Sequence, residues 1–169
     1  QEQVIRSSQS KPNLEALGFG ALFALGLLAR LFTGKITGDM SNFYFIWYQN
    51  ILDNGIAVLY RENITNYSPL FSYLLAITTH FDSLVPRVTA IKLLPILFDF
   101  ISTYFVYRIV RIKYPTGNKP YWAAGLFFVL PTIFINSAHW GQMDALYTTF
   151  LIISLYFYLK EKPSLGMLA

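Results

Sequence analysis

The sequence predicts an all-α, multi-pass transmembrane helical bundle of about four spans, with two interfacial helices in the first outer loop. Of its 169 residues, 54% are hydrophobic and only 13% are charged, whereas soluble domains carry about 25% charged residues. Four apolar windows also approach the roughly 20 helical residues that a bilayer core of about 30 Å requires. A helical membrane protein accounts for both observations.

The first predicted span is residues 14–32, and it follows a short segment, residues 1–13, that we expect in the cytoplasm. Its apolar run is too long for a secretory signal and carries no small-residue cleavage site, which indicates an uncleaved anchor. The remaining predicted spans are residues 88–107, 121–138 and 145–159. Each is expected to be helical, because lipid offers no hydrogen-bond partner to an exposed backbone N–H or C=O group.

Lysine and arginine set the predicted orientation. They are concentrated in the N-terminal segment and in residues 108–120 and 160–169, so the positive-inside rule places these segments in the cytoplasm. The long segment 33–87 and the short turn 139–144 then lie outside. The expected location is a bacterial inner membrane, and the apolar residues 165–169 suggest a fragment of a longer protein.

The outer loop, residues 33–87, contains the two predicted interfacial helices. Apolar residues recur at helical spacing over residues 41–52, which predicts an amphipathic helix on the membrane surface. In the second half of the loop, Ser68 is suited to cap a helix that has Pro69 at its first position. That helix is expected to end near His80 and is too short to cross a bilayer.

Composition excludes several classes of function. The chain has no cysteine, so disulfides and thiol catalysis are excluded. Its net charge of +4 comes from basic residues that alternate with apolar runs, which argues against nucleic acid as a partner. His80 and His139 could ligate a metal or pigment, but two isolated histidines are more often structural.

Asp39 is the first candidate for chemistry, because it follows Gly38 just past the first span, on the predicted outer face. A carboxylate there could take a proton from an acceptor hydroxyl, or it could hold a divalent cation such as Mg²⁺ or Mn²⁺. Alternatively, Asp39 caps the helix that begins near Ser41, since aspartate is a favoured N-cap residue.

The turn Trp140-Gly141-Gln142-Met143-Asp144 returns to the same outer face. Its glycine permits a sharp change of direction, and Gln142 and Asp144 offer hydrogen bonds to a polyhydroxyl ligand. Trp140 can anchor among lipid headgroups. The alternative interpretation is an interfacial tryptophan followed by an ordinary helix cap.

Polar residues within or beside the predicted spans form a second group. Asp99 lies in the middle of the second span, where a charge faces the bundle interior or a polar cavity, and a structural network with Arg30 or tyrosine hydroxyls is favoured over direct catalysis. Lys92 could face outward to a lipid phosphate. Tyr67 could stack on a sugar, although an interfacial tyrosine at a helix start explains it equally.

Together these features resemble the N-terminal half of GT-C class membrane glycosyltransferases, particularly mannosyltransferase-like members that use polyprenyl-phosphate sugars. The resemblance covers about residues 14–160. It is carried by Arg30-Leu31, Gly38-Asp39, Asn66-Tyr67-Ser68-Pro69-Leu70, the spacing of Lys92 and Asp99, and residues 136–144, of which the last are the most specific. Members of this class have more spans than this chain.

The resemblance implies an enzyme that transfers a sugar from a polyprenyl-phosphate carrier to an acceptor hydroxyl on the outer face, with inversion at the anomeric carbon. Asp39 would be the catalytic base or a ligand of a divalent cation, and arginine or lysine would stabilise the leaving phosphate. The implied substrate-binding residues are Trp140, Gln142, Asp144, Tyr67, Lys92 and Arg30.

A different class of function stays open. A chain of this size could be a small, non-catalytic subunit packed on a larger membrane protein complex, where its aromatic side chains would contact lipids or pigments. A transporter is disfavoured, because the sequence shows no internal repeat. The expected partners are therefore membrane lipid with either a lipid-linked sugar donor or a larger membrane complex.

Overall fold

The computed structural model describes residues 14–31, 33–62 and 64–168, and within them every regular element is a helix. The predicted all-α class is confirmed. The predicted cytoplasmic segment, residues 1–13, lies outside the described residues. The helices are α1 (Leu14–Arg30), α2 (Phe45–Asn54), α3 (Val58–Arg61), α4 (Pro69–Thr78), α5 (Arg87–Lys113), α6 (Lys119–Phe128), α7 (Pro131–Phe134), α8 (Asp144–Leu159) and α9 (Pro163–Met167), with π-helical segments at Met40–Tyr44 and Ile135–Trp140 and a 3₁₀ turn at Thr79–Phe81.

Helix α5 is the central element of the bundle. Its 27 residues extend for about 40 Å at 1.5 Å per residue, well past the predicted end at residue 107. Helices α6 and α8 pack along α5, and α1 packs against α6. Within the described part of the chain, α5 is the one unbroken helix that is long and apolar enough to cross a membrane.

The third predicted span, residues 121–138, is not a continuous helix. Helix α6 ends at Phe128, and the segment that resumes at Pro131 is bent by 47° from it. Leu130 adopts an extended conformation, with φ −59° and ψ 127°, because the proline ring disfavours helical geometry in the residue before it. The two pieces together have the length and apolarity of one broken span.

The remaining two predicted spans correspond to shorter helices. Helix α1 has 17 residues and α8 has 16, fewer than the roughly 20 that a straight crossing requires. The predicted cytoplasmic end, residues 160–169, contains α9, which packs on α8. The arrangement of four spans therefore stays a prediction, while an apolar helical bundle is observed.

The predicted outer loop, residues 33–87, folds onto the N-terminal half of α5 and forms the main core with it. Ser68 caps α4 as predicted, and its hydroxyl accepts a hydrogen bond from the Phe71 N–H at 3.5 Å. The first loop helix is present, but its apolar residues do not all face one surface as predicted. Trp47 is buried in protein, while Ile46 is exposed. The core includes Met40, Tyr44, Trp47, Tyr48, Ile51, Phe71, Leu75, Ala90, Ile91, Leu94, Phe98, Met143 and Leu146.

Candidate functional site

Two loops that are distant in sequence meet beside the N-terminal half of α5. The first connects α1 to the π-helical segment Met40–Tyr44 and carries Asp39. The second is the turn before α8 and carries Gln142, whose Nε2 donates a hydrogen bond to Asp39 Oδ2 at 2.5 Å. The Thr37 hydroxyl also donates to the Trp140 carbonyl oxygen at 3.2 Å. These two contacts join segments that are 103 residues apart.

A cavity of about 300 Å³ opens between the two loops. It combines a carboxylate, an amide, a hydroxyl and an indole ring. The Asp39 side chain is exposed, and Trp140 is 50% exposed, so both are accessible to a ligand. Pockets that bind small molecules commonly present an apolar surface with a few placed polar groups. The cavity is lined by Thr37, Gly38, Asp39, Trp140 and Gln142.

Asp39 does not cap the following helix. Its backbone already has helical angles, φ −64° and ψ −37°, and its side chain makes no capping hydrogen bond. N-cap residues usually have extended backbone and accept from an N–H of the first turn. The alternative interpretation of Asp39 as a cap is therefore wrong, and its carboxylate instead faces Gln142.

Gly141 permits the sharp turn in the second loop. It has φ +73° and ψ 26°, the left-handed conformation that glycine adopts at little cost. A Cβ atom at this position would lie 3.2 Å from two carbons of the Lys92 side chain and 3.4 Å from the Met40 sulfur. The turn therefore needs glycine both for its dihedral angles and for the close approach of Lys92.

Both walls of the cavity adjoin π-helical segments. Met40–Tyr44 begins directly after Asp39, and Ile135–Trp140 ends directly before Gly141. π-helical turns are rare in proteins, and those that occur often lie at functional sites. Sequence reasoning missed both segments, because π-helical hydrogen bonding has no distinct residue pattern.

Lys92 of α5 joins the two loops from the interior of the protein. Its side chain is completely buried, and its ammonium group donates to the carbonyl oxygens of Thr33 at 2.9 Å, Lys35 at 2.5 Å and His139 at 2.7 Å. An ammonium group has three hydrogens, and all three are used. The expected outward position of Lys92, facing a lipid phosphate, is therefore wrong. Lys92 positions the loops.

Arg30 and Asp99 form a buried ion pair, as the structural interpretation of Asp99 expected. Arg30 donates to Asp99 Oδ2 from Nη2 at 2.7 Å and from Nε at 3.0 Å, and both side chains are 3% exposed. Ser137 donates to the same carboxylate oxygen at 2.5 Å. Arg30 also donates to the carbonyls of Gly26 and Phe128. The structure does not bring Arg30 to the Asp39 cavity.

Tyr67 and Asp144 lie near the cavity without lining it. Tyr67 packs on Phe71 with ring centroids 4.8 Å apart and accepts a hydrogen bond from the Tyr44 hydroxyl at 3.3 Å. Burial raises the pKa of Tyr44 well above its ordinary value, and the contact with Tyr67 and the charges of Asp39 and Asp144 act in the same direction. Asp144 is exposed and accepts from an amide at 3.2 Å.

Sequence reasoning missed Thr37 and Ser137. Thr37 lines the cavity next to Gly38, and Ser137 hydrogen-bonds Asp99. Ser137 stands inside the most specific motif, residues 136–144, so its place there was a usable signal. Thr37 had no such signal, because its partner is a backbone carbonyl and every residue provides one.

A divalent cation fits this cavity only if a substrate supplies most of its ligands. The described residues contain no group of three or more His, Asp or Glu side chains that could hold a metal ion, and Asp39 is the one carboxylate that lines the cavity. Mg²⁺ is commonly bound through one or two carboxylates together with substrate phosphates and water. Asp39 fits a Mg²⁺ or Mn²⁺ ion shared with a phosphate-bearing substrate.

No known protein family, curated protein or solved structure matches this chain. The expectation of a GT-C class enzyme therefore depends on the sequence resemblance alone. Within the geometry of the site, Asp39, Trp140 and Gln142 share one cavity, and Lys92 holds the two loops of this cavity from inside the bundle.

Proposed function

We propose that this chain provides the catalytic carboxylate of an integral membrane glycosyltransferase of GT-C type. The enzyme transfers a sugar from a polyprenyl-phosphate carrier to an acceptor hydroxyl on the outer face of the membrane. The observation that carries the proposal is the contact between Gln142 Nε2 and Asp39 Oδ2, at 2.5 Å, inside a cavity that an exposed tryptophan also lines.

Apolar side chains on the outside of the bundle support the membrane setting. Leu25 of α1 is 58% exposed, Leu97 of α5 is 54% exposed and Leu151 of α8 is 72% exposed. Large exposed apolar surfaces mark membrane or protein contacts. Four spans with a cytoplasmic N-terminus would place the Asp39 cavity at the non-cytoplasmic surface of the membrane. A lipid-linked donor and a water-soluble acceptor would meet there.

The reaction requires one proton acceptor. The acceptor oxygen attacks the anomeric carbon from the side opposite the phosphate, so a glycosidic C–O bond forms as the C–O bond to the phosphate breaks. The bonding electrons leave with the polyprenyl phosphate, and the hydroxyl proton passes to the Asp39 carboxylate. Gln142 orients that carboxylate through its amide N–H, and the Trp140 ring packs against the apolar face of the sugar.

If the enzyme uses a divalent cation, Asp39 would hold it together with phosphate oxygens of the donor. The cation would supply positive charge that stabilises the leaving phosphate. The proton transfer described above depends only on the Asp39 carboxylate.

The test compares two aspartates of the same outer loop. Asp39→Asn is expected to lower the rate of mannose transfer from polyprenyl-phosphate mannose by about 10²–10⁴-fold, the usual contribution of a general base. Asp53→Asn is the matched control, because Asp53 also accepts from a glutamine amide, that of Gln49 at 2.7 Å, but does not line the cavity. The measurement is product formation in membranes that contain the protein.

Two results would contradict the proposal. Unchanged turnover in Asp39→Asn would remove this carboxylate from the mechanism. Equal losses in the Asp39 and Asp53 variants would indicate a general effect of charge on the loop rather than catalysis.

A second candidate is a non-catalytic subunit of a larger membrane complex. The observation that favours it is the outward apolar face of α8, where Leu151 and Tyr158 are 72% and 70% exposed, since another membrane protein could cover this face as well as lipid could. Absence of turnover with every polyprenyl-phosphate hexose, together with co-purification in fixed stoichiometry with a large complex, would support this function.

A further inference from the structure

A second cavity lies at the C-terminal end of α5, far from Asp39. Its volume is about 490 Å³, larger than that of the Asp39 cavity. Arginine and lysine side chains alternate around it with tyrosine rings from α5 and α8. The residues that matter here are Arg108, Arg111, Lys160, Tyr104, Tyr107 and Tyr156.

The described residues that line this cavity include three cations and no carboxylate. Arg108 donates to the hydroxyls of Tyr104 and Tyr156, the latter at 2.6 Å, and Arg111 donates to the Tyr107 hydroxyl at 2.5 Å. These hydroxyls are uncharged partners. Among the described residues, the ion pairs are Arg30–Asp99 and Arg87–Asp82, and neither is near the cavity. Three cations therefore line this cavity without an ion-pair partner in the part of the chain that the structure describes.

The tyrosines hold the guanidinium groups in place. Arg108 lies between two rings, with its Cζ atom 5.5 Å from the Tyr104 centroid and 5.2 Å from the Tyr156 centroid. Tyr156, which belongs to α8, is only 7% exposed, so its hydrogen bond holds the Arg108 side chain beside α8. A guanidinium group held in this way presents its remaining N–H donors in a planar arrangement that suits phosphate oxygens.

The position along α5 matches the opposite membrane interface. Arg108 lies 16 residues after Lys92, which is about 24 Å along a helix axis. The hydrocarbon core of a bilayer is about 30 Å thick. If α5 crosses the membrane with Asp39 outside, this cavity lies at the cytoplasmic headgroup level, where anionic lipids attract basic side chains.

We propose that the Arg108 cavity binds the phosphate headgroup of an anionic phospholipid in the cytoplasmic leaflet. The phosphate oxygens accept from Arg108, Arg111 and Lys160, and the tyrosine rings line the glycerol end. This site depends on α5 crossing the membrane and is independent of sugar transfer.

The test titrates phosphatidylglycerol into the detergent-purified protein and counts bound lipid by native mass spectrometry. The double variant Arg111→Gln/Lys160→Gln removes two cations of the cavity and keeps the contact between Arg108 and Tyr156. Its affinity for phosphatidylglycerol is expected to fall at least about tenfold, since each basic residue contributes about 1 kcal/mol at an anionic surface. Phosphatidylcholine, whose headgroup carries no net charge, is expected to bind weakly to all variants.

The matched control is Lys113→Gln/Lys119→Gln. These lysines stand against the Tyr114 ring, at 5.7 and 4.3 Å, and they do not line the cavity. A loss below about twofold in this control, next to the tenfold loss in the cavity variant, supports a defined site. Equal losses in both variants would overturn it in favour of diffuse attraction.

Competition with inorganic phosphate distinguishes a phospholipid ligand from a soluble phosphate ligand. If phosphatidylglycerol is the ligand, millimolar phosphate leaves its binding essentially unchanged, because the acyl chains add affinity. Full displacement of the lipid by inorganic phosphate would overturn the assignment to a phospholipid and indicate a soluble phosphate ligand.

Discussion

Two cations inside the bundle, Arg30 and Lys92, are satisfied by different kinds of acceptor. Arg30 meets the Asp99 carboxylate and two carbonyls, whereas Lys92 meets three carbonyls. A buried charge is costly unless it is paired and fully hydrogen-bonded. Each cation therefore fixes the segments that solvate it, Arg30 inside the bundle and Lys92 beneath the Asp39 cavity.

We predict that Asp99→Ala destabilises the protein strongly. The substitution leaves the Arg30 guanidinium buried without its counter-ion, and breaking a buried pair in this way costs about 3–5 kcal/mol. The measurement is the unfolding free energy of the detergent-solubilised protein, from denaturant titration followed by tryptophan fluorescence.

The control for this prediction is Asp82→Ala. Asp82 pairs with Arg87 at 3.3 Å, but these side chains are 32% and 34% exposed, and an exposed pair contributes about 0–1 kcal/mol. Similar losses in the two variants would contradict the assignment of the Arg30–Asp99 pair as a buried structural element.

The two cations also show which contacts a sequence can predict. Asp99 in an apolar span demands a partner, and Arg30 was among the few candidates, so their network could be anticipated. The partners of Lys92 could not, because backbone carbonyls occur at every residue and only the folded loops select three of them. Asp39 and Gln142 stood out as polar residues on one predicted face, while their direct contact depends on the turn at Gly141.

At the scale of helices, glycines allow α1 and α6 to approach closely. A Cβ atom on Gly18 would lie 2.7 Å from the Trp122 ring, and one on Gly26 would lie 2.4 Å from the Phe128 ring. Phe128 is completely buried and lies under Arg30, with 3.8 Å from the guanidinium carbon to the ring centroid. The ring therefore has little room to move away, and small residues at helix interfaces serve this purpose in membrane bundles.

We predict that Gly26→Ala lowers the unfolding free energy by about 1–3 kcal/mol, the usual cost of overpacking. Gly20→Ala is the control in the same helix, because a Cβ atom there meets nothing within 4 Å. That variant is expected to be neutral or slightly stabilising, since alanine favours helix over glycine. Thermal unfolding midpoints in detergent compare the two, and equal midpoints would refute close packing at Gly26.

Helix boundaries were predictable where local chemistry sets them. Ser68 and Pro69 start α4 as expected, because a capping hydroxyl and a proline at the first position act within one turn. The break before Pro131 was also encoded locally, but hydrophobicity alone extended the predicted span through it. The burial of Trp47 was not predictable from periodicity, which identifies an apolar face without specifying whether lipid or protein covers it.

At the scale of the whole molecule, the two ends of α5 differ in chemistry. The Asp39 cavity, with a carboxylate and an amide, adjoins its N-terminal half, and the cavity of arginines and tyrosines adjoins its C-terminal end. A membrane-crossing α5 would give these two cavities separate aqueous surroundings and separate lipid leaflets.

We predict that the two ends of α5 are accessible from opposite sides of the membrane. The chain has no cysteine, so single cysteines can be introduced at two exposed positions, Glu62→Cys in the outer loop and Thr116→Cys between α5 and α6. A membrane-impermeant maleimide is expected to label the first in intact cells and the second only after permeabilisation. Labelling of both from the same side would contradict a crossing by α5.

The three hydrogen bonds of the Lys92 ammonium have a consequence for how the protein opens. The Lys92 ammonium group donates to the carbonyl oxygens of residues 33 and 35 in one loop and of residue 139 in the other. If one loop detaches, the buried charge keeps only the hydrogen bonds to the other loop. Separation of one loop therefore weakens the attachment of the other. We expect the Asp39 loop and the Gln142 loop to open together as one cooperative unit, so their backbone amides should exchange hydrogen at similar rates.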